Sequence, residues 1–316
     1  MVRTAEVVTP KHPDKICDRI SDAILDECLK QDPNTRAAIE TMGGHGIITV
    51  TGELTTKAFV DVPEVVKKVY GKDIGVQTNI VRQSPEIARG VNKGGAGDQG
   101  IMIGYACNDN KEYVPQEYYL ARKLAQHIYE KYPFDGKTQV TMNGNSLRVV
   151  ASFCCTPNSE LRDLVVEFFD QYPEYRIEDL HCNPAGDWSV GGFDADAGLT
   201  GRKLAVDNYG PRVPIGGGAF SGKDASKVDR SAAYMARKIA VDLLEDNTAN
   251  EVFVQLAYAI GYEKPIQASA LIDGKHEWVK GYDLTPNGII QYLNLKEPNF
   301  SVTADWGHMG NNFKWK

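Results

Sequence analysis

The chain has 316 residues, enough for two or three modest domains around a substantial core. Its hydrophobic fraction of 42% and charged fraction of 24% are those of an ordinary globular protein, not of a disordered or fibrous one. A net charge of -7 excludes a general nucleic-acid binder, so any anion site must be a local cluster of cations in an acidic protein.

No apolar run is long enough to span a bilayer, and the N-terminal MVRTAEVVTPKHPDK lacks the apolar stretch of a secretion signal. Six cysteines (Cys17, Cys28, Cys107, Cys154, Cys155, Cys182) contain no C-x-x-C pair and suggest neither a disulfide framework nor a zinc site. Reduced, buried thiols in a cytoplasmic protein without membrane contact are expected.

A helix is expected over residues 12–31. Pro13 suits its first position, and Ile16, Ile20, Ala23, Ile24 and Cys28 line one face. His12 and Asp14 then sit at its start. They read either as cap and dipole partner or as a phosphate-contacting imidazole beside a magnesium-binding carboxylate. Ile47 to Glu53 is strand-like, and Glu40 and Glu53 both lie among strand formers. Residues 61–70 read as a short helix. From Gly71 to Gly100 periodicity is lost, and an irregular, functional loop is expected. It ends in GGAGDQG, with Asp98 and Gln99 among glycines, and runs into the apolar strand IMIGYA.

Residues 116–132 form a second amphipathic helix, with His127 on its packed side. A hairpin follows: TQVTM, a turn at Asn143-Gly144-Asn145, then SLRVVASFC. Residues 159–172 make a third helix with Ser159 as its cap. A second stretch rich in glycine and aspartate leads to GGGAFSGKDASKVDRSAAYMARK, Gly216 to Lys238, and a helix over 229–245. EVFVQLAYAIG is a buried strand, PIQASALI pairs nearby, Asp273-Gly274 is a hairpin turn, and a short helix starts at Thr285-Pro286. The elements come in three rounds, 1–90, 98–190 and 191–316. The expected class is α+β, with mainly antiparallel sheets each covered on one face by helices.

The Gly216–Lys238 stretch asks for a polyphosphate. Consecutive glycines let backbone N–H groups approach a ligand, and the helix start adds positive charge. Gly217 to Asp224 reads G-x-x-x-x-G-K-D. A P-loop needs a hydroxyl where Asp224 stands, and an apolar strand where PRVPI stands. Cations also occupy loop or helix-start positions at His12, Lys15, Lys137, Arg202, Lys203, Lys223, Lys227 and Arg230. Carboxylates do so at Asp14, Asp135, Asp196, Asp224 and Asp229. The cations point to ATP and the interspersed aspartates to magnesium. Neither a nucleophile–histidine pair nor a kinase motif set is present.

HPDK at 12–15, GAGDQG at 95–100, GLTGRK at 198–203 and GGGAFSGKDASKVDRSAAY at 216–234 resemble, in order, the motifs of the S-adenosylmethionine synthetase family. The resemblance runs from residue 6 to about residue 313. It implies the three-subdomain fold of that family. The reaction it implies is attack of the methionine thioether on C5′ of ATP, followed by hydrolysis of the displaced tripolyphosphate.

By the same resemblance His12 contacts phosphate, Asp14 and Asp229 hold two magnesium ions, and Glu40 holds potassium. Glu53, Gln83 and Asp98 belong to the methionine pocket. Asp135 and Lys137 bind ATP, and Trp188 stacks on the ligand. Asp196, Arg202 and Lys203 contact ATP, with Asp196 also near methionine. Ala219, Lys223 and Lys227 form the glycine loop, Lys227 reaching methionine as well. A homodimer or homotetramer with sites at the subunit interface is implied.

Four departures stand out. Lys11 replaces a glycine and adds a cation near the phosphates. Asp187 replaces an arginine, the loop between Gln83 and GAGDQG is short, and the chain is tens of residues shorter than is usual. They motivate an alternative in which a catalytically impaired homologue serves as a regulatory subunit. An ATP hydrolase or kinase acting on another substrate is the reading suggested by the near-P-loop.

Overall fold

Residues 36–44 and 47–55 place Ala37, Ile39 and Thr41, then Ile48 and Val50, on one buried side. That alternation is the two-residue period of a half-buried strand. His45 and Gly46 connect them with φ of 49° and 92°, as a tight hairpin turn requires. The computed structural model describes residues 1–84 and 94–316. In chain order its elements are β1 (Arg3–Val8), α1 (Pro13–Leu29), β2 (Arg36–Gly44), β3 (Ile47–Thr55), α2 (Val62–Tyr70), β4 (Gly75–Val81), β5 (Gly100–Cys107), α3 (Gln116–Lys131), β6 (Gly136–Asn143) and β7 (Ser146–Phe153). There follow α4 (Asn158–Asp170), β8 (Arg176–Cys182), β9 (Gly198–Leu199), α5 (Leu204–Asp207), α6 (Val228–Asn247), β10 (Glu251–Tyr258), β11 (Gln267–Ile272), β12 (Lys275–Trp278) and α7 (Pro286–Tyr292).

The strands form three four-stranded sheets, β1-β6-β7-β8, β12-β11-β10-β5 and β4-β3-β2-β9. Pairing is antiparallel except for β3 with β4 and β7 with β8. The class is therefore α+β as expected. Helices cover one face of each sheet: α1 lies on β2, α3 on β1 and β6, and α6 on β5 and β10. The opposite faces stay open. On the first-hairpin sheet the open side carries Glu40 and Met42. The three sheets do not follow chain order. β1 joins the sheet built by residues 136–182, β5 joins the C-terminal strands, and β9 closes the edge of β2.

Several local expectations change. The stretch from Gly71 to Gly100 is not wholly irregular, since β4 occupies 75–81 in parallel with β3 after α2. Its sequence GVQTNIV is polar because the strand lies at a sheet edge with little burial, so the alternation that signals a strand is weak. Residues 85–93, part of the expected loop, lie outside the described residues. Ser159 is not a cap: α4 begins at Asn158 after Pro157 and has no side-chain cap. Cys155 is exposed, while the other five cysteines are buried. Strands β1 and β8 and the two-residue β9 were not expected.

Candidate active site

The outer edge of β2 carries two loops in succession. Near its start, Ile39 N–H donates to Gly222 O at 3.0 Å, and Ala38 bridges Lys223. Asp224 locks this contact: its Oδ2 accepts from Ala37 N–H at 2.8 Å and its N–H donates to Ala37 O at 3.2 Å. Further along, Thr200 N–H donates to Thr41 O at 2.9 Å, and Leu199 and Gly198 pair with Met42 and Gly43. The glycine loop and the GLTGRK loop thus share one strand edge, only about 10 Å apart at the strand rise per residue. Ala219 lies against Gly201 between them.

Helix α1 fixes both loops from below. Asp14, Asp18, Asp22 and Asp26 recur every four residues on one helical stripe and all are buried. Asp14 Oδ1 accepts from Leu199 N–H at 2.9 Å and Asp18 Oδ1 from Gly201 N–H at 2.8 Å. Asp22 Oδ1 accepts from Gly222 N–H at 2.8 Å. Asp26 receives Phe300 and Ser301 N–H at 2.8 and 2.9 Å. Each of the first three has a cation: Lys203 for Asp14, Lys15 for Asp18 and Arg230 for Asp22. Ser21 adds hydroxyl bonds to Thr41 and Thr200, both 2.8 Å.

Two of the collected cations are therefore structural. Lys15 is enclosed by Asp18 and Asp207. Arg230 is fully buried and grips both oxygens of Asp22 at 2.6 and 2.9 Å. Asp224 is likewise a pin, because its oxygens also take Ser226 N–H and the Lys227 ammonium at 2.5 Å. That explains why no hydroxyl stands there.

At the start of α1, His12 caps the helix through Nδ1, which accepts from Asp14 N–H at 3.2 Å. Burial, reinforced by the nearby Lys203 ammonium, pushes the imidazole down to about 4. His12 is thus neutral at physiological pH and not the cation that a charge count makes it. Asp14 takes Lys203 Nζ at 2.5 Å, with Arg202 Nε at 3.7 Å. Burial works to raise the Asp14 pKa, but Lys203 and the Leu199 N–H outweigh it and hold the carboxyl below its usual range. Lys137 and Asp196 belong to the same electrostatic neighbourhood. Asp135 is tied to the loop after Trp188, accepting from Gly192 N–H at 2.8 Å, and burial raises its pKa. Trp188 Nε1 donates to Asn183 Oδ1 at 3.3 Å, and Asn183 also reaches Asp187 at 3.3 Å.

The second group sits on the glycine loop. Lys223 pairs with Asp229 at 2.5 Å, and Lys223 is the charge that opposes the burial-raised pKa of Glu40. Gly218 packs so closely on Asp229 that a Cβ there would lie 2.4 Å from the carboxyl carbon. At Gly216 a Cβ would lie 1.8 Å from Ile101 O, so only glycine lets the loop approach β5.

Glu53 lies opposite Ala38, the residue that bridges Lys223, so it stands one strand across from the glycine loop. Asp98 comes two residues before Gly100, where a Cβ would lie 3.2 Å from Asp229 Oδ1. Glu53 is opposite Val81 at the end of β3, and Gln83 N–H donates to Thr55 Oγ1 at 3.3 Å. Gln83 Oε1 is buried with no partner among the described residues. Asp98 is exposed, its Oδ1 taking Gln99 N–H. Lys11 lies just before α1. Its charged neighbours are Arg19, Asp305 and Lys72, and its ammonium is lowered mainly by burial. A groove of about 820 Å³ between α1, α2 and residues 298–305 contains none of the expected site residues. Among the described residues no helix is long and apolar enough to cross a membrane.

Magnesium suits the donor set. Asp14 and Asp229 are single carboxylates at two helix starts, each facing a lysine. Magnesium is commonly held by one or two carboxylates plus substrate phosphates.

Three family models match: the S-adenosylmethionine synthetase N-terminal domain over 1–91, the central domain over 93–154 and the C-terminal domain over 190–316. The S-adenosylmethionine synthase of Clostridium tetani is 41% identical, covering 97% of this chain and 93% of that protein. The enzyme of Pseudothermotoga lettingae is 41% identical over 99% of this chain and 95% of the relative, and that of Petrotoga mobilis 39% over 100% and 96%. These alignments run over 370 to 384 positions against 316 residues here, so the relatives carry segments this chain lacks. The two glycine-containing loops on one strand edge, the motif order and the full-length similarity agree, and the chain belongs to the S-adenosylmethionine synthetase family.

Proposed function

We propose that the chain is a methionine adenosyltransferase that makes S-adenosylmethionine, phosphate and diphosphate from ATP, methionine and water. The observation that carries this is the pair of anion loops held side by side on β2, each ending in a lysine–aspartate contact: Lys203 with Asp14 and Lys223 with Asp229. A triphosphate lying along that edge takes the lysines as partners. The aspartates so released, Asp14 and Asp229, would be the groups that hold magnesium.

The chemistry suits this set. A thioether is a neutral nucleophile and needs no base, so the residues act on position and on the leaving group. As the C5′–oxygen bond breaks, negative charge grows on the tripolyphosphate, where Arg202, Lys203, Lys137, Lys223 and Lys227 supply fixed positive charge. His12, neutral and capping through Nδ1, donates from its other nitrogen. When bound, magnesium adds further charge neutralisation there. Asp135, Asp196, Ala219 and Trp188 are assigned to ATP, and Glu53, Gln83 and Asp98 to methionine, with Asp196 and Lys227 bordering both. Glu40 is assigned to potassium.

The open sheet face beside the glycine loop carries Glu40 and Glu53 with the exposed Met42 and Val81, so we assign the complete site to two subunits of a homodimer or homotetramer. The test is to incubate the protein with ATP, methionine, magnesium and potassium and to assay all three products. Lys223→Ala should lower turnover by at least about a hundredfold while changing methionine affinity little. Equal losses in both would remove Lys223 from the leaving group. Phosphate release without methionine would overturn the transferase reading.

A further inference from the structure

Cys154 and Cys155 follow β7 directly, and their Sγ atoms are 3.4 Å apart. Cys155 is exposed and Cys154 buried beneath it. Cys155 adopts φ 55°, a left-handed conformation unusual for a residue with a side chain. The strained backbone is held by the loop that carries Trp188. Cys155 N–H donates to Trp188 O at 2.8 Å and Cys155 Sγ to Ser189 O at 3.4 Å. Across the pair, a Cβ at Gly191 would meet Cys154 Sγ at 3.0 Å and Asp135 Cβ at 3.0 Å.

We propose that Cys154 and Cys155 form a two-thiol chelate for a trivalent arsenical, which on binding loosens the Trp188 loop. Two sulfurs on adjacent residues favour a bridging soft atom over a direct bond. Adjacent Cα atoms are about 3.8 Å apart, shorter than the roughly 4.4–6.8 Å usual for disulfides. Ring closure is therefore strained, and the pair persists as thiols. Burial, with the hydrogen bond to Cys155, pushes the Cys154 thiol up to about 12, which also keeps that sulfur protonated. Sulfur is the soft donor that a thiophilic centre selects.

With an organoarsenic(III) oxide the arsenic–oxygen bond breaks and two arsenic–sulfur bonds form. Both thiol protons leave with the oxygen as water, arsenic stays trivalent, and no electron is transferred. Cys155 Sγ then has no proton to give Ser189 O. The effect on ATP rests on the assignment of Trp188 under the proposed function, whereas the chelate itself does not.

Phenylarsine oxide is the probe, added to the full chain and read by intact mass. One adduct is expected on the wild type, removed by a dithiol but not by a monothiol, and it should protect Cys155 from alkylation. Cys155→Ser, an exposed change expected to retain activity, should form no dithiol-reversible adduct, and Cys155→Gly, which suits the left-handed backbone, should behave alike. No adduct on folded wild type, or an undiminished adduct on Cys155→Ser, overturns the chelate. In the wild type the adduct should raise the KM for ATP at least about fivefold. An adduct with an unchanged KM upholds the chelate and overturns its coupling to ATP through the Trp188 loop.

Discussion

A histidine that caps a helix through Nδ1 presents its other nitrogen, as N–H, to whatever lies beyond the helix start. His12 does this with an imidazole pushed down to about 4 by burial and by Lys203. Its folded pKa lies below the ordinary 6.5, so folding favours the neutral ring. The resulting stability is present above pH 6.5 and is lost as pH falls towards 4, up to about 3 kcal/mol. His12→Asn keeps a cap acceptor but cannot titrate. Its denaturation midpoint should therefore depend less on pH between 4 and 6.5 than that of the wild type, and matching slopes would disprove the shift. Proton NMR should find the free ring titrating near 4 and shifted upward by tripolyphosphate. That His12 and Asp14 open a helix and that Lys203 and Lys223 lie in glycine-containing loops was legible in the sequence, because residue type and glycine context mark such positions. The structural roles of Lys15 and Arg230 were not, because charge counting does not reveal burial.

Among elements, α1 does more than its apolar face suggests. Its aspartates at every fourth position hold the GLTGRK loop, the glycine loop and residues 300–301 by backbone N–H groups. The period was visible in HPDKICDRISDAILDEC, but acidic residues on a helix normally read as a solvated face. Asp22→Ala should cost about 3–5 kcal/mol, because it strands the buried Arg230. Chemical denaturation measures this, and a cost below about 1 kcal/mol would contradict the clamp. The double change Asp22→Leu with Arg230→Met should recover much of the loss, since the two charges then leave together. The glycine loop gives a contrasting pair. Gly216→Ala drives a Cβ into backbone at Ile101 and should destabilise the fold. At Gly218→Ala the nearest atoms are those of the Asp229 side-chain carboxyl, not backbone, so the change should perturb the melting temperature less than Gly216→Ala while cutting turnover at least about tenfold. Wild-type turnover in Gly218→Ala would remove Asp229 from the site. Helices and hairpins were readable from periodicity and turn residues. The polar edge strand β4 and the exchange of β1, β5 and β9 between sheets were not, because pairing partners distant in sequence leave no local pattern.

At the scale of the whole molecule, each sheet has one face under helices and one open. The open face of the β4-β3-β2-β9 sheet mixes Met42, 51% exposed, and Val81, 57% exposed, with Glu40 and Glu53. Leu199 lies opposite Met42 and is also exposed. An apolar and acidic face flanking the anion loops fits burial against a second copy, as in a two-fold interface where one patch meets itself. Sharing of the site can be tested by complementation. Lys203→Ala and Glu53→Gln chains should each be inactive alone. If a site takes Lys203 from one subunit and Glu53 from the other, a mixed dimer gathers both changes into one site and leaves its second site intact. Co-refolded equal mixtures should then recover roughly a quarter of wild-type activity, since half of randomly paired dimers are mixed and each has one working site. If both residues serve the site from the same chain, every site in the mixture carries one lesion and no activity returns. Sedimentation of both variants beside the wild type checks that they still assemble, so a null result bears on where the site is built and not on whether the dimer forms.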